Sequence, residues 1–340
     1  MAFQHYTKTT LCIICFLCVA GKIKSQNKEI IFKAKDGTTA VFKHLYNNPD
    51  YLPAFHASIN AGALNLGNIA SDESPYTLQL NFGGRINKRL SFAASYMTLI
   101  PEFIIYKNNE YSEDPFYKSF NFIDFTAHYN LLSHIKERFR DEKLITYTKV
   151  AYWGKIPKTF SDNLSLDIGV NRFNYYDAAQ LYVTKNVNND LVNQTRTGDI
   201  AFTSAKFGLS YFRTESRKYS IAGEISEKAK QKRFYALLTY AVNHKYDIIY
   251  SEYKYVSNTR KTDKEYINNA LTPAPKISPV GFRIGFESQY FYPGKVNFFG
   301  VLGLEFGAIP RLEFYDGYKT YKWIAMAHLG LGLFDKIHVK

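Results

Sequence analysis

From Tyr76 to Thr98 the sequence alternates residue by residue, and this restricts the fold more than any other feature of the chain. Tyr76, Leu78, Leu80 and Phe82 alternate with Thr77, Gln79 and Asn81. After Ile86-Asn87-Lys88-Arg89 the pattern resumes as Leu90, Phe92, Ala94 and Tyr96 against Ser91, Ala93 and Ser95. A period of two places each set on one face of a strand. Each arm is about 9–11 residues, the length a tilted strand needs to cross a bilayer. The polar face carries small and amide side chains, which suit a wet lumen better than a dry core. A short basic turn joins the arms, and a much longer segment follows the second. The unit reads as one transmembrane hairpin.

Most of the chain repeats it. Phe55–Leu66 alternates through Phe55, Ala57, Ile59, Ala61 and Ala63, and Phe120–Leu131 sets Ile123, Phe125, Ala127 and Tyr129 against Asp124, Thr126 and His128. Leu164–Val170 follows the same rule, as does Val280–Tyr290, where Val280, Phe282, Ile284 and Phe286 oppose Gly281, Arg283, Gly285, Glu287 and Gln289. Leu144–Trp153, Ala205–Tyr211, Tyr219–Ile225, Phe234–Val242, Tyr246–Tyr255, Phe298–Phe306 and Trp323–Leu333 read as further strands, with Thr38–Tyr46 and Leu312–Tyr318 as weaker ones. RTESRK, SEKAKQKR and Asn243–Lys245 read as short polar turns, and Tyr292–Lys295 as a tight one. Leu99–Tyr117, Val187–Thr197 and Ser257–Ser278 read as long loops, the last kept out of a ladder by Pro273 and Pro275. Ser133–Lys143 is the one convincing helical piece. The expectation is an all-β fold, a transmembrane antiparallel up-and-down β-barrel of about 12–14 strands.

The first residues read as an export signal. Lys8 supplies a positive start, and Leu11–Ala20 is an apolar run too short to span a membrane as a helix. Cleavage fits after Ala20 or near Ser25-Gln26. The expected organisation is a signal peptide at 1–25, a lead-in or first strand at 26–53, and the barrel from 54 to 340. Cys12, Cys15 and Cys18 all lie inside the signal, so the mature chain is expected to hold no disulfide, thiolate metal site or cysteine nucleophile. Removing 1–25 takes away Lys8, Lys22 and Lys24, so the net charge falls from +13 to +10. These cations are dispersed through turns and loops rather than gathered on one patch, which argues against nucleic acid. Anionic lipid headgroups, lipopolysaccharide or an acidic partner account for them more simply.

A soluble barrel or sandwich would alternate too, with its apolar face turned inward. Three features favour the membrane: long, regular strand spacing, the export signal, and long loops alternating with tight turns. Composition adds a fourth. The chain has 28 Tyr and 27 Phe, many near strand ends where an interfacial girdle forms, yet its mean hydropathy is slightly negative. In its repeated hairpins, its GGRINKRLSFAASY turn and its signal, the sequence resembles a Gram-negative outer-membrane β-barrel of the Bacteroidetes type. The likeness covers about Phe55–Leu333 and is one of pattern. It implies a cell outer-membrane location, with lipid, lipopolysaccharide and other outer-membrane proteins as neighbours. Such barrels often end on an aromatic residue; this chain ends FDKIHVK, and Phe334 can stand in for it.

No catalytic arrangement stands out. His128 and Asp124 lie four residues apart on one strand face, as two polar lumen residues or a water-bridged pair. A Ser-His site needs a nucleophile beside a base and a third group orienting that base, and none is recognisable. No enzyme activity, cofactor or metal site is expected. The expected lumen-lining residues are Gln79, Asn81, Asp124, Asp167, Lys206, Glu224, Arg283, Glu287 and Glu305. Mixed charges across a lumen form a constriction in a diffusion pore, or pair with one another and plug a closed barrel. Two functions follow: a porin-like barrel passing small solutes, or a non-enzymatic barrel subunit of an outer-membrane export or assembly complex.

Overall fold

The computed structural model describes residues 29–33, 39–44, 53–67, 76–87, 89–100, 120–145, 151–185, 191–221, 224–255, 262–267, 275–292, 296–313 and 323–335. The expected signal at 1–25 and most of the loop expected at Leu99–Tyr117 lie outside them. The strands are β1 (Glu29–Lys33), β2 (Thr39–His44), β3 (Phe55–Gly67), β4 (Tyr76–Arg85), β5 (Leu90–Leu99), β6 (Phe120–Ile145), β7 (Ala151–Lys185) and β8 (Leu191–Ile221). There follow β9 (Glu224–Tyr255), β10 (Thr262–Ile267), β11 (Lys276–Ser278), β12 (Val280–Tyr292), β13 (Phe298–Ala308), β14 (Arg311–Glu313) and β15 (Trp323–Phe334).

Ten of them close on themselves. Each of β3 to β8 pairs antiparallel with the next, β9 pairs with β12, β12 with β13 and β13 with β15, and β15 returns to β3 through Trp323↔Gly67 to Phe334↔His56. The fold is therefore the expected all-β, up-and-down antiparallel barrel, with ten strands in place of about 12–14. The hairpin β1–β2 is added to the far end of β8, and β10 to the far end of β9. Strands β11 and β14 form a separate two-stranded sheet.

The strand number is lower because each long strand covers what the pattern divides into several. Arg213–Lys218, Ser226–Arg233 and Asn243–Lys245, expected as turns, lie within β8 and β9. The strand boundaries fall inside two expected strands: β6 ends at Ile145 and β7 begins at Ala151, within Leu144–Trp153, and β8 ends at Ile221 and β9 begins at Glu224, within Tyr219–Ile225. The expected helix Ser133–Lys143 is part of β6, paired with β7 from Ser133↔Asn163 to Lys143↔Trp153. Leu191–Thr197 opens β8 rather than closing a loop.

The wall has the two faces that the alternation requires. Outward side chains are apolar and exposed around the ring, including Ile59, Leu78, Phe125, Ile168, Leu209, Leu238, Leu304 and Leu331, with Leu331 69 % exposed. Aromatics edge this belt. Phe306 stacks on Trp323 at 5.5 Å and Tyr292 on Phe298 at 5.1 Å, at opposite ends of the barrel. A continuous apolar surface of this kind is far larger than a soluble monomer exposes, and it is compatible with a membrane barrel.

The two ends differ. The strand ends separated by short gaps in sequence (Arg85 and Leu90, Ile145 and Ala151, Ile221 and Glu224, Tyr292 and Phe298) point to one end, the short-turn end, together with the start of β3 and the end of β15. The strand ends that flank 68–75, 100–119, 186–190, 256–279 and 309–322 point to the other end, the loop end. Past the short-turn end, β6 to β9 run on as a four-stranded sheet. The β5 pairing of β6 stops at Leu90↔Tyr129, and the β12 pairing of β9 stops at Phe291↔Ala229.

Candidate functional site in the barrel lumen

Three layers occupy the lumen along its axis. At the loop end, inward residues of the wall (Leu64, Met97, Phe122, Phe173, Phe202 and Ile324) pack with Ile309 and Leu312, and Ile277 joins them. Leu312 is on β14 and Ile277 on β11, so the small two-stranded sheet caps the barrel with its apolar side. This layer closes the lumen at that end.

The middle layer is ionic. Arg283 on β12 holds Glu305 on β13 through two bonds, Nε to Oε1 at 2.5 Å and a terminal nitrogen to Oε2 at 2.6 Å. Its other terminal nitrogen reaches Asp124 Oδ1 on the opposite wall at 3.0 Å. Lys206 on β8 holds the second oxygen of Asp124 at 2.5 Å and also donates to Thr126. Tyr235 donates to Glu305. The Arg283 guanidinium lies over the Phe122 ring, 4.7 Å from its centre, joining this layer to the apolar cap. Beside it, Arg233 donates to Asp167 at 2.9 Å and to Ser210 at 3.0 Å, Ser210 donates to Asp167, and His128 Nδ1 is 2.8 Å from Asp167. Three carboxylates thus face three cations, and every one has a partner of opposite sign. Glycines admit the large groups. A Cβ at Gly285 would collide with the Tyr235 ring, and one at Gly169 would sit 2.6 Å from Lys206 Cε.

The third layer is a cavity between the ionic layer and the short-turn end, offering about 200 Å³ to water. Gln79, Asn81, Ser95, Asn163, Gln231 and Glu287 are among its lining residues. Gln289 donates to Glu287 at 2.6 Å. Gln79 Oε1, Gln289 Oε1 and His328 Nε2 have no hydrogen-bond partner among the described residues.

Of the nine expected lumen residues, Asp124, Lys206, Arg283 and Glu305 form one connected network, and Asp167 anchors the cluster beside it. Gln79, Asn81 and Glu287 line the cavity. Glu224 is the exception: it begins β9, opposite Ile221 at the tip of the β8–β9 hairpin, far along the strand from the others. Arg233 and Tyr235 are lumen residues that the sequence reading missed, because Arg233 sat in an expected turn. Continuing the inward parity of Tyr235 and Leu237 back through Arg233 and Gln231 finds it. His128 takes Asp167 rather than Asp124 as its carboxylate. The resulting Ser-Asp-His order is wrong for nucleophilic catalysis, since Ser210 gives its proton to Asp167 and its oxygen accepts from Arg233.

No protein-family model matches this sequence, and no curated protein matches it either.

Proposed function

We propose that this chain is an outer-membrane barrel of the Bacteroidetes kind, without enzymatic activity, which serves as a non-conducting subunit of a larger outer-membrane export or assembly complex. One observation carries the reading. The lumen is spanned by mutually satisfied ion pairs backed by an apolar cap, while β6 to β9 stand out of the barrel as a sheet that the barrel itself does not use. A diffusion pore keeps its lumen charges hydrated and apart. Here Arg283 bridges the full width of the lumen to Asp124 at 3.0 Å. Outer-membrane lipid, lipopolysaccharide and partner proteins are the neighbours this reading implies.

The porin-like alternative, passage of small solutes, draws support from the polar cavity and its amide and imidazole atoms. It requires Arg283 to release Asp124 and the apolar cap to part. Planar bilayers separate the two. The purified chain is expected to be electrically silent, and detergent-extracted membranes are expected to hold it in an assembly larger than its 39.2 kDa mass. Stable conductance steps from the wild-type chain would favour the pore and remove the subunit reading.

A further inference from the structure

The outward face of the barrel changes character abruptly on four adjacent strands. Approaching the short-turn end, the apolar belt reaches a row formed by Leu132 on β6, Leu164 on β7, Tyr211 on β8 and Phe234 on β9, and of the described apolar side chains beyond that row on these strands only Phe160 shares the face. The residues of the row stand side by side in the register Leu132↔Leu164, Leu164↔Tyr211 and Tyr211↔Phe234. Beyond that row the outward positions carry an excess of cations, with Lys136 and Arg138 on β6, Lys158 on β7, Arg213 on β8, and Lys232, Lys230 and Lys228 on β9. Among the described side chains of that face, only Asp162 and Glu215 oppose them. Asp162 accepts from Arg213 at 2.7 Å, Lys136 at 2.7 Å and Tyr211 at 2.8 Å, and Lys158 pairs with Glu215 at 3.0 Å. Among the described residues the cations therefore exceed the carboxylates, and those on β9 have no carboxylate partner there.

Aromatic rings sit among these cations. Lys230 lies over the Tyr290 ring at 4.1 Å and donates to its hydroxyl, and Arg138 lies 5.9 Å from the centre of Phe160. An apolar belt, then tyrosines, then a row of long cationic side chains is the order a bilayer presents in reverse: acyl chains, interface, phosphates. The charge cannot serve the lumen, because it is on the opposite face of the wall.

We propose that this face is a docking ledge for anionic phospholipid headgroups of the leaflet at the short-turn end, with Lys228, Lys230 and Lys232 as its centre. The ledge rests on the membrane reading above and adds a lipid preference to it. Cations near an anionic surface attract it within a Debye length, so the preference is salt-sensitive. It also fixes the barrel's depth on the β6–β9 side, where the strands run on into water.

The full chain reconstituted in phosphatidylcholine bilayers, with spin-labelled phosphatidylglycerol or spin-labelled phosphatidylcholine as probe, tests this. Both probes should show a motionally restricted population at the barrel wall. At low salt the restricted population should favour phosphatidylglycerol by at least about threefold, and the preference should collapse at about 1 M salt, where the Debye length is about 3 Å. Lys228→Gln/Lys230→Gln/Lys232→Gln should remove most of the preference while leaving the restricted phosphatidylcholine population unchanged, which also shows that the variant is folded. Lys245→Gln, at the other end of β9, should keep it. Equal restriction of the two probes by the wild-type chain, or an undiminished preference in the triple variant, overturns the ledge alone. No restricted population for either probe overturns the membrane reading along with it.

Discussion

Arg283 is the residue on which the closed lumen depends, and its environment says what its loss should do. Its fork satisfies both oxygens of Glu305, and its remaining arm satisfies Asp124. A buried ion pair contributes little net stability against desolvation, but removing one partner strands the other. Arg283→Met leaves Glu305 and Asp124 short of a cation in a site that is 6 % exposed, and should cost about 3–5 kcal/mol by denaturant unfolding of the bilayer-inserted chain. Arg283→Lys keeps the charge but cannot reproduce the fork, and should fall between the two. Asp162 makes a second residue-scale prediction from outside the belt. Hydrogen bonds from Arg213 first, then Lys136 and Tyr211, outweigh its partial burial and hold its carboxyl well below the usual range. A lowered folded value means the stabilisation is complete above about pH 4, the unfolded carboxylate value, and is lost as pH falls toward the folded one. The stability difference between wild type and Asp162→Asn should be constant from pH 7 to about pH 4 and shrink below that in an acid titration of unfolding. A gap that widens on acidification would refute the assignment. Asp124, Lys206, Arg283 and Glu305 were legible because each is polar in a strand whose neighbours are apolar. Which of them touch was not, because Asp124 and Arg283 are 159 positions apart in sequence and meet only when the ring closes.

At the scale of elements, strands inside the belt were legible and strands beyond it were not. Within the belt one face meets apolar surroundings and the other a polar lumen, so alternation marks the strand. Phe282, Ile284 and Phe286 face outward as the pattern requires, Ile284 being 54 % exposed, and Arg283 and Gln289 face inward. Ile284→Arg should accordingly cost about 2–4 kcal/mol near the belt's midplane, measured by the same unfolding assay, whereas Arg at position 276, on β11, should cost almost nothing. Equal costs at the two sites would refute the facing. Past the belt both faces of a strand can be polar, and the two-residue period disappears. Ser133–Lys143 then matches a charged helix and Ser226–Arg233 a turn, although neither holds the Gly, Pro or Asn chemistry a reversal needs. Pairing decided these segments: once β7 is fixed in the wall, β6 continues along it for the whole of Ser133↔Asn163 to Ile145↔Ala151. Propensity yields to an available ladder.

For the whole molecule, strand number sets what the lumen can hold. Eight strands leave an interior that side chains just fill, and sixteen or more leave an aqueous channel. Ten is close to the lower limit, so an Arg from one wall reaches an Asp on the other, and the leftover space is the cavity between the ionic layer and the short-turn end. An even number of strands also puts both ends of the barrel at the same side. Here that is the side of the short connections, which in outer-membrane barrels is the periplasmic one. The ledge and the cavity would then lie toward the periplasm, and the longer connections, including 100–119 and 256–279, toward the exterior. All three cysteines precede Ser25, so with the expected signal at 1–25 removed an introduced cysteine is unique and reports its side without interference. In intact cells a membrane-impermeant maleimide should label Asn109→Cys, in the connection between β5 and β6, and should spare Asn87→Cys, in the turn between β4 and β5. Permeabilising the outer membrane should expose the second site to the same reagent. Labelling of Asn87→Cys alone in intact cells would invert the barrel, and with it the leaflet that the ledge contacts. The ion pairs that close the lumen would stand, because they depend on closure of the ring and not on which way it points.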